Sequence, residues 1–239
     1  MTRFFVTPAE LEQNHILLTG DNAAHAKVLR LKSGEEVLLC DGAGRECLCV
    51  VEEGLQLQVL ERRASATEPM VSATLYMAFP KADKLEHVIQ KATELGADRI
   101  VAFPSARCVS RPDSKSLPKK LERWEKIALS AAQQSGRGKI PEVLVLNSYT
   151  EALAEAANAD TAILLYENEQ ATTLKMALEA HPFASVSLIS GPEGGLEEKE
   201  VEQALQAGIS VCTLGKRILR CETAPLCALS AVMYATGEF

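Results

Sequence analysis

Metal-binding and redox motifs are missing from this 239-residue chain. Its seven cysteines, Cys40, Cys47, Cys49, Cys108, Cys212, Cys221 and Cys227, are odd in number and include no C-x-x-C pair. That argues against a secreted disulfide scaffold and against a zinc site, so no metal is expected. No apolar run approaches the roughly 20 residues that span a bilayer. The opening Met-Thr-Arg-Phe-Phe-Val-Thr-Pro-Ala-Glu lacks the apolar centre and cleavage signal of a secretory leader. A reducing, cytoplasmic compartment without membrane attachment is the expectation. Neither G-x-G-x-x-G nor G-x-x-x-x-G-K-[ST] occurs, which speaks against a nucleotide-dependent dehydrogenase.

What is present is an ordinary globular composition, 47% hydrophobic and 24% charged, in a length that allows one large domain or two small ones. The net charge of −7 argues at first against a nucleic-acid partner. Its distribution argues otherwise. Residues 107–139 carry nine Lys and Arg against three Asp and Glu, whereas residues 140–239 carry five against 14. A contiguous basic block can track a phosphate backbone whatever the global sign. It can equally be a solvated helix face, and charge alone leaves both open.

The first 65 residues read as a small β-rich, barrel-like module. Strands are expected at 3–6, 15–18, 36–40, 46–51 and 55–60, separated by turn signals such as Asp41-Gly42 and Glu53-Gly54, with a short helix at 23–30. The polar, Pro-containing stretch 62–72 is the linker candidate, giving domains at 1–68 and 73–239. Beyond it strand and helix patterns alternate. Asp83 and Glu86 resemble a capping box, Leu85, Val88, Ile89, Ala92 and Leu95 share one helical face, and Gly96 suits the left-handed position after the helix. Such alternation predicts an α/β domain with a mostly parallel sheet covered on both faces. Ligands then bind at the carboxyl ends of the strands. Three loops occupy that position: 80–83, 191–196 and 215–223.

The middle loop follows the apolar run Val186–Ile189 and reads Gly191-Pro-Glu-Gly-Gly-Leu196. Three glycines after a buried strand permit close approach of a ligand to the backbone. Glu193, Glu197, Glu198 and Glu200 crowd the loop and the next turn, so a neutral or cationic ligand suits it better than a phosphate. The third loop, Leu214-Gly-Lys-Arg-Ile-Leu-Arg-Cys-Glu-Thr-Ala224, sets Ile218-Leu219 among cations. The apolar pair can wall a flat base while backbone groups read its edge. Glu222 and Thr223 open a helix there. Capping electrostatics and a chemical role for Glu222 are both open readings.

Those two loops resemble the hallmark segments of the SPOUT methyltransferases, specifically the subfamily that methylates N3 of a uridine in small-subunit (16S) ribosomal RNA. Further matching segments run in the same order along the chain: His25–Arg30, Lys81–Glu86 with Gln90–Gly96, Ser105–Cys108, Trp124–Ile127 and Gln134–Arg137. Lys216 stands where proline is usual, and Cys221 where threonine is common. The resemblance implies a C-terminal SPOUT-type α/β domain with a deep trefoil knot, preceded by a PUA-like β-barrel, and a homodimer. The implied cofactor is S-adenosyl-L-methionine, contacted by Leu188, Ile189, Gly191, Pro192, Glu193, Gly194, Gly195, Leu214, Gly215, Arg217, Ile218, Leu219 and Thr223. The implied partner is 16S rRNA or the assembled small subunit.

Chemistry narrows the catalytic candidates. The N3–H of uracil must be lost as the methyl group arrives, so an arginine near O2 or O4 and a proton acceptor are needed. Arg3, Arg30, Arg217 and Arg220 are the arginine candidates, Arg3 and Arg220 foremost, and Glu222 is the acceptor with Glu193 second. RNA contacts are expected from Arg30, Arg107, Arg111, Lys119, Lys120, Arg123 and Arg137. Two other readings compete: a SPOUT enzyme acting on a ribose 2′-hydroxyl or another base, and a non-catalytic RNA-binding factor of ribosome assembly.

Overall fold

The computed structural model describes residues 1–239. Two compact units emerge. The first comprises Met1–Glu68 with Ala132–Ile140, the second Pro69–Ala131 with Pro141–Phe239. The inclusion of 132–140 in the first unit was not foreseen, because in sequence it continues a helix of the second.

The first unit holds β1 (Thr2–Phe5), α1 (Pro8–Leu11), β2 (His15–Leu17), α2 (Gly20–Val28), β3 (Glu36–Cys40), β4 (Arg45–Val51) and β5 (Gln56–Ala64). They make one sheet in the order β1-β3-β4-β5-β2, antiparallel except for β1 beside β3. Alternation decides which side chains go inside. Val37 and Leu39 of β3 and Cys47, Cys49 and Val51 of β4 join Phe4, Ile16 and Leu57 in a buried core. Burial pushes the Cys49 thiol up to about 12. Asp41 closes the β3–β4 turn by accepting the Ala43 and Arg45 N–H groups at 2.8 and 3.0 Å.

Two arginines expected at function are built into this unit. Arg3 reaches the buried Glu46 at 2.7 Å, and Arg63 reaches the same carboxylate at 2.8 Å. Burial alone would raise the Glu46 pKa, but these two cations outweigh it and hold it low. Arg137 corrects the expectation of an RNA-facing side chain: only 3% of it is exposed, and it pairs with Glu68 at 2.8 Å. Its place in the basic block reflects sequence neighbourhood, not a shared surface.

The second unit alternates as expected: β6 (Ser72–Ala78), α3 (Lys84–Glu94), β7 (Arg99–Phe103), α4 (Leu117–Ser135), β8 (Glu142–Val145), α5 (Tyr149–Ala156), β9 (Thr161–Leu165), α6 (Leu174–Glu179), β10 (Ser185–Ser190), α7 (Glu198–Gln206), β11 (Ser210–Cys212) and α8 (Thr223–Ala235). Every strand pairing in the sheet β11-β9-β10-β6-β7-β8 is parallel. α5 packs on α7 and on the sheet, while α8 packs on α3, α6, β6 and β10. Both faces are therefore covered. That explains the near-continuous apolar strands, since a parallel strand in the middle of such a sandwich buries both sides. Leu188 and Ile189 of β10 are fully buried, each stabilising the fold by ~2–3 kcal/mol.

Local signals set the boundaries. Gly96 has φ +96° just after Leu95, the residue that caps α3, where a side chain would be strained. Ser148 and Thr173 cap α5 and α6 by accepting the Glu151 and Met176 N–H groups. The capping box expected at Asp83 and Glu86 is absent. Asp83 makes no side-chain cap, and Glu86 instead takes the Arg123 guanidinium at 2.6 Å. A charged partner outcompetes a backbone N–H for that carboxylate.

Candidate active site

The order of strands reverses between β10 and β6, the position where an α/β sheet opens a crevice at its carboxyl edge. A cavity of about 970 Å³ lies there, lined only by residues of the second unit. Three loops and the start of one helix build its walls. After β9 come Tyr166, Glu167, Glu169 and Gln170. After β10 come Gly191, Pro192, Glu193, Gly195 and Leu196. After β11 come Leu214 through Cys221, and Lys84 enters from the start of α3.

Glycine is required at Gly195. Its φ is +69°, and an added Cβ would collide with the Glu167 carboxylate. Gly191 is almost as tight, its Cβ position being 3.0 Å from Leu196. Of the backbone N–H groups from Leu214 to Leu219, only that of Gly215 is paired, to Thr213 Oγ1 at 3.2 Å. The loop thus offers donors to a ligand edge while Ile218 stands 85% exposed beside them. Of the residues expected to meet a cofactor, Gly191, Pro192, Glu193, Gly195, Leu214, Gly215, Arg217, Ile218 and Leu219 line the cavity. Leu188 and Ile189 are interior supports of β10. Gly194 turns away, its carbonyl accepting from Arg107 at 3.0 Å. Thr223 is the first residue of α8, its N–H bonded to Arg220 O at 2.9 Å.

Arg220 lines the cavity, and Glu222 stands just behind it. The Glu222 carboxylate does not cap α8, the simpler of its two open readings. It accepts from Lys84 Nζ at 3.1 Å and from the Cys221 thiol at 3.2 Å. Burial would raise its pKa, but its own backbone N–H, Cys221 and Lys84 together hold it below the ordinary carboxylate value. Lys84 also meets Glu193 at 3.0 Å, and the Lys81 N–H donates to the same Glu193 oxygen at 3.0 Å. Glu193 is lowered in turn, the effect of burial being outweighed by Lys81 and then Lys84. Burial, seconded by Glu222, pushes the Cys221 thiol up to about 12, so it stays protonated and donates.

Sequence reading missed Lys84. The available signal was a cation as the first residue of a helix, where the helix dipole disfavours it. The loop after β9 was missed as well, because a polar turn of that kind has no distinctive spacing.

The expected RNA contacts divide. Lys119 and Lys120 are exposed on the first turns of α4, and Arg123 keeps 67% of its side chain exposed beside Glu86. Arg107 and Arg111 are exposed, yet each donates to a loop carbonyl, of Gly194 and Ser105 respectively. Arg30 is exposed in the first unit with φ +56°.

A strand-end cavity lined by three carboxylates and four cations, with glycine-dependent walls and unpaired amides, defines a site for an organic ligand in a two-unit α/β protein. Residues 67–233 match the RNA methyltransferase domain family, and residues 18–60 match the RNA methyltransferase PUA domain. The chain belongs to this family of RNA methyltransferases. More particularly, it is 36% identical to the ribosomal RNA small subunit methyltransferase E of Bacillus subtilis, over 99% of this chain and 97% of that protein. It is 37% identical to the protein of the same name from Mycobacterium bovis, over 93% and 87%. A crystal structure of ribosomal RNA small subunit methyltransferase E from Neisseria gonorrhoeae bound to S-adenosyl methionine superposes with a TM-score of 0.83. That alignment has 33% identity and covers 98% of this chain and 97% of that one.

Proposed function

We propose that this protein transfers a methyl group from S-adenosyl-L-methionine to N3 of a specific uridine in 16S rRNA of the small ribosomal subunit. One observation carries the reading: nine of the expected cofactor contacts line one cavity together with Arg220 and Lys84, and Lys84 pairs with Glu222. The donor set fits the cofactor. Glu167, Glu169 and Glu193 suit a cationic sulfonium and ammonium, and the amides of 214–219 suit the edge of an adenine.

When bound, the cofactor supplies an electrophilic methyl group on a sulfonium. The chain supplies the rest. Arg220 binds the uracil oxygens and stabilises the anion that forms as N3–H is lost. The Glu222 carboxylate, held ionised beside Lys84 until then, accepts that proton and becomes a neutral carboxyl. The loops after β10 and β11 fix the orientation of the reactants, a contribution of several kcal/mol when atoms are aligned for attack. The target base leaves its stack to reach the cavity. Arg3, engaged with Glu46, acts as a support of the first unit in this reading. Lys119, Lys120, Arg123, Arg107, Arg111 and Arg30 contact RNA phosphates.

The same reading includes a domain boundary after residue 68, a trefoil knot, a homodimer and a cytoplasmic location. Supporting the knot, the chain returns from the edge strand β11 through the cavity loop to lay α8 on the central strands β10 and β6. The family resemblance supports the homodimer. A ribosomal substrate supports the cytoplasm, and no helix is long and apolar enough to cross a membrane.

Incubation with labelled S-adenosyl-L-methionine and either assembled small subunits or naked 16S rRNA tests the proposal. Digestion and mass spectrometry should yield N3-methyluridine. A 2′-O-methyl nucleoside, another methylated base or no transfer to either RNA would overturn it.

A further inference from the structure

Lys84 joins groups that are far apart in sequence. Its ammonium lies 3.0 Å from Glu193 Oε1 and 3.1 Å from Glu222 Oε2, with Cys221 Sγ at 3.8 Å. Glu193 belongs to the loop after β10 and Glu222 to the loop after β11. A second tie runs to the same place, from the Lys81 N–H to Glu193 Oε1. Between the two lysines, Ala82 adopts φ +55°, a conformation that L side chains other than Asn and Asp rarely take. That turn is what lets the Lys81 N–H and the Lys84 side chain address one carboxylate.

We propose that Lys84 is a positioning residue for methyl transfer, clamping the cofactor-side loop and the substrate-side loop to α3 through two carboxylates. The proposal rests on the reading of this cavity as the methyl-transfer site. Without the ammonium, Glu193 and Glu222 become like-charged neighbours with no cation between them, and the two loops repel. The half-buried rim makes the effect larger than for exposed ion pairs. The clamp also sets the charge of the proton acceptor. The groups facing Glu222 are Lys84 from α3, Glu193 from the loop after β10 and Cys221 from its own loop. Lys84 is the only cation among them, so its loss raises the pH at which Glu222 becomes ionised.

The variants Lys84→Met and Lys84→Arg test this, with S-adenosylhomocysteine affinity read by calorimetry and single-turnover methyl transfer to 16S rRNA read against pH. Lys84→Met should weaken S-adenosylhomocysteine about tenfold, as expected when a partly buried ion pair worth ~1.4 kcal/mol is lost. It should also slow transfer further and move the acid limb of the rate profile to higher pH, because a carboxyl without its cation protonates earlier as pH falls. Lys84→Arg should recover most of both effects. Unchanged affinity together with an unshifted acid limb in Lys84→Met would overturn the clamp. So would equal loss in both variants with an unshifted limb. Unfolding temperature measured alongside identifies a variant that fails to fold, and Lys84→Gln then replaces Lys84→Met. If the wild type transfers no methyl group to RNA, the functional reading fails. The clamp is then still judged by the S-adenosylhomocysteine affinities of wild type and variants.

Discussion

Arg137 and Glu68 form an ion pair of 2.8 Å in which the arginine is almost completely enclosed. Glu68 also accepts the Gly138 and Lys139 N–H groups at 2.8 and 3.1 Å. The carboxylate therefore gathers the end of 132–140 onto the first unit. Arg137→Met should destabilise that unit by about 2–3 kcal/mol, since removing one member of a buried pair strands the other. Denaturant unfolding followed by hydrogen exchange of residues 1–68 measures it. The salt dependence of RNA binding should not change, which separates a structural arginine from a phosphate contact.

Arg220 stands at the cavity rim without an ion-pair partner in the chain. Arg220→Ala should reduce methyl transfer by roughly 10²–10³, the usual cost of losing one oxyanion donor. Cofactor affinity should stay within about threefold, being set by backbone groups. Calorimetry with S-adenosylhomocysteine beside single-turnover kinetics distinguishes the two. A collapse of affinity with intact turnover would assign Arg220 to the cofactor instead.

Gly195 sits at positive φ, and a methyl group there would meet the end of the Glu167 side chain. Gly195→Ala forces the Glu167 carboxylate aside and places alanine in the left-handed region, at a cost of ~1–2 kcal/mol. Cofactor affinity should fall about tenfold or more. Gly208, also at positive φ but with nothing near its Cβ position, is the control: Gly208→Ala should lower stability slightly and leave cofactor affinity alone.

Lys119 and Lys120 carry charge on an exposed helical turn. Lys119→Glu with Lys120→Glu should weaken binding of all RNA sequences alike and flatten the log-log salt slope by roughly 1–2. Filter binding at several salt concentrations reads the slope. An unaltered slope would place the RNA surface elsewhere.

The strands were legible wherever the apolar pattern was decisive. β3 falls on the expected residues, 36–40, because its hydrophobic run ends in unambiguous turns. The cavity loops were legible for the same reason: glycines at strand ends have few other uses. What could not be read is what depends on partners distant in sequence. Glu86 looked like a capping residue until Arg123 was brought beside it. Lys84 had no spacing to single it out within the segment Lys81–Glu86, although the fold puts two loops within its reach. Arg137 sat in a basic block yet lies inside the first unit. Charge counted along a chain predicts a surface only when the residues stay on one side of it.

The parallel order of the large sheet also bears on how the chain is made. β6 occupies residues 72–78, but one of its two neighbours, β10, is residues 185–190. During synthesis the Leu75-Tyr76-Met77 segment leaves the ribosome long before the strand that will cover its second edge. Non-local pairings of this sort close slowly and leave sticky edges in the meantime. A chain of this topology thus depends on being shielded while its own middle strand waits, and translation pauses before residue 185 should lower its yield of soluble product.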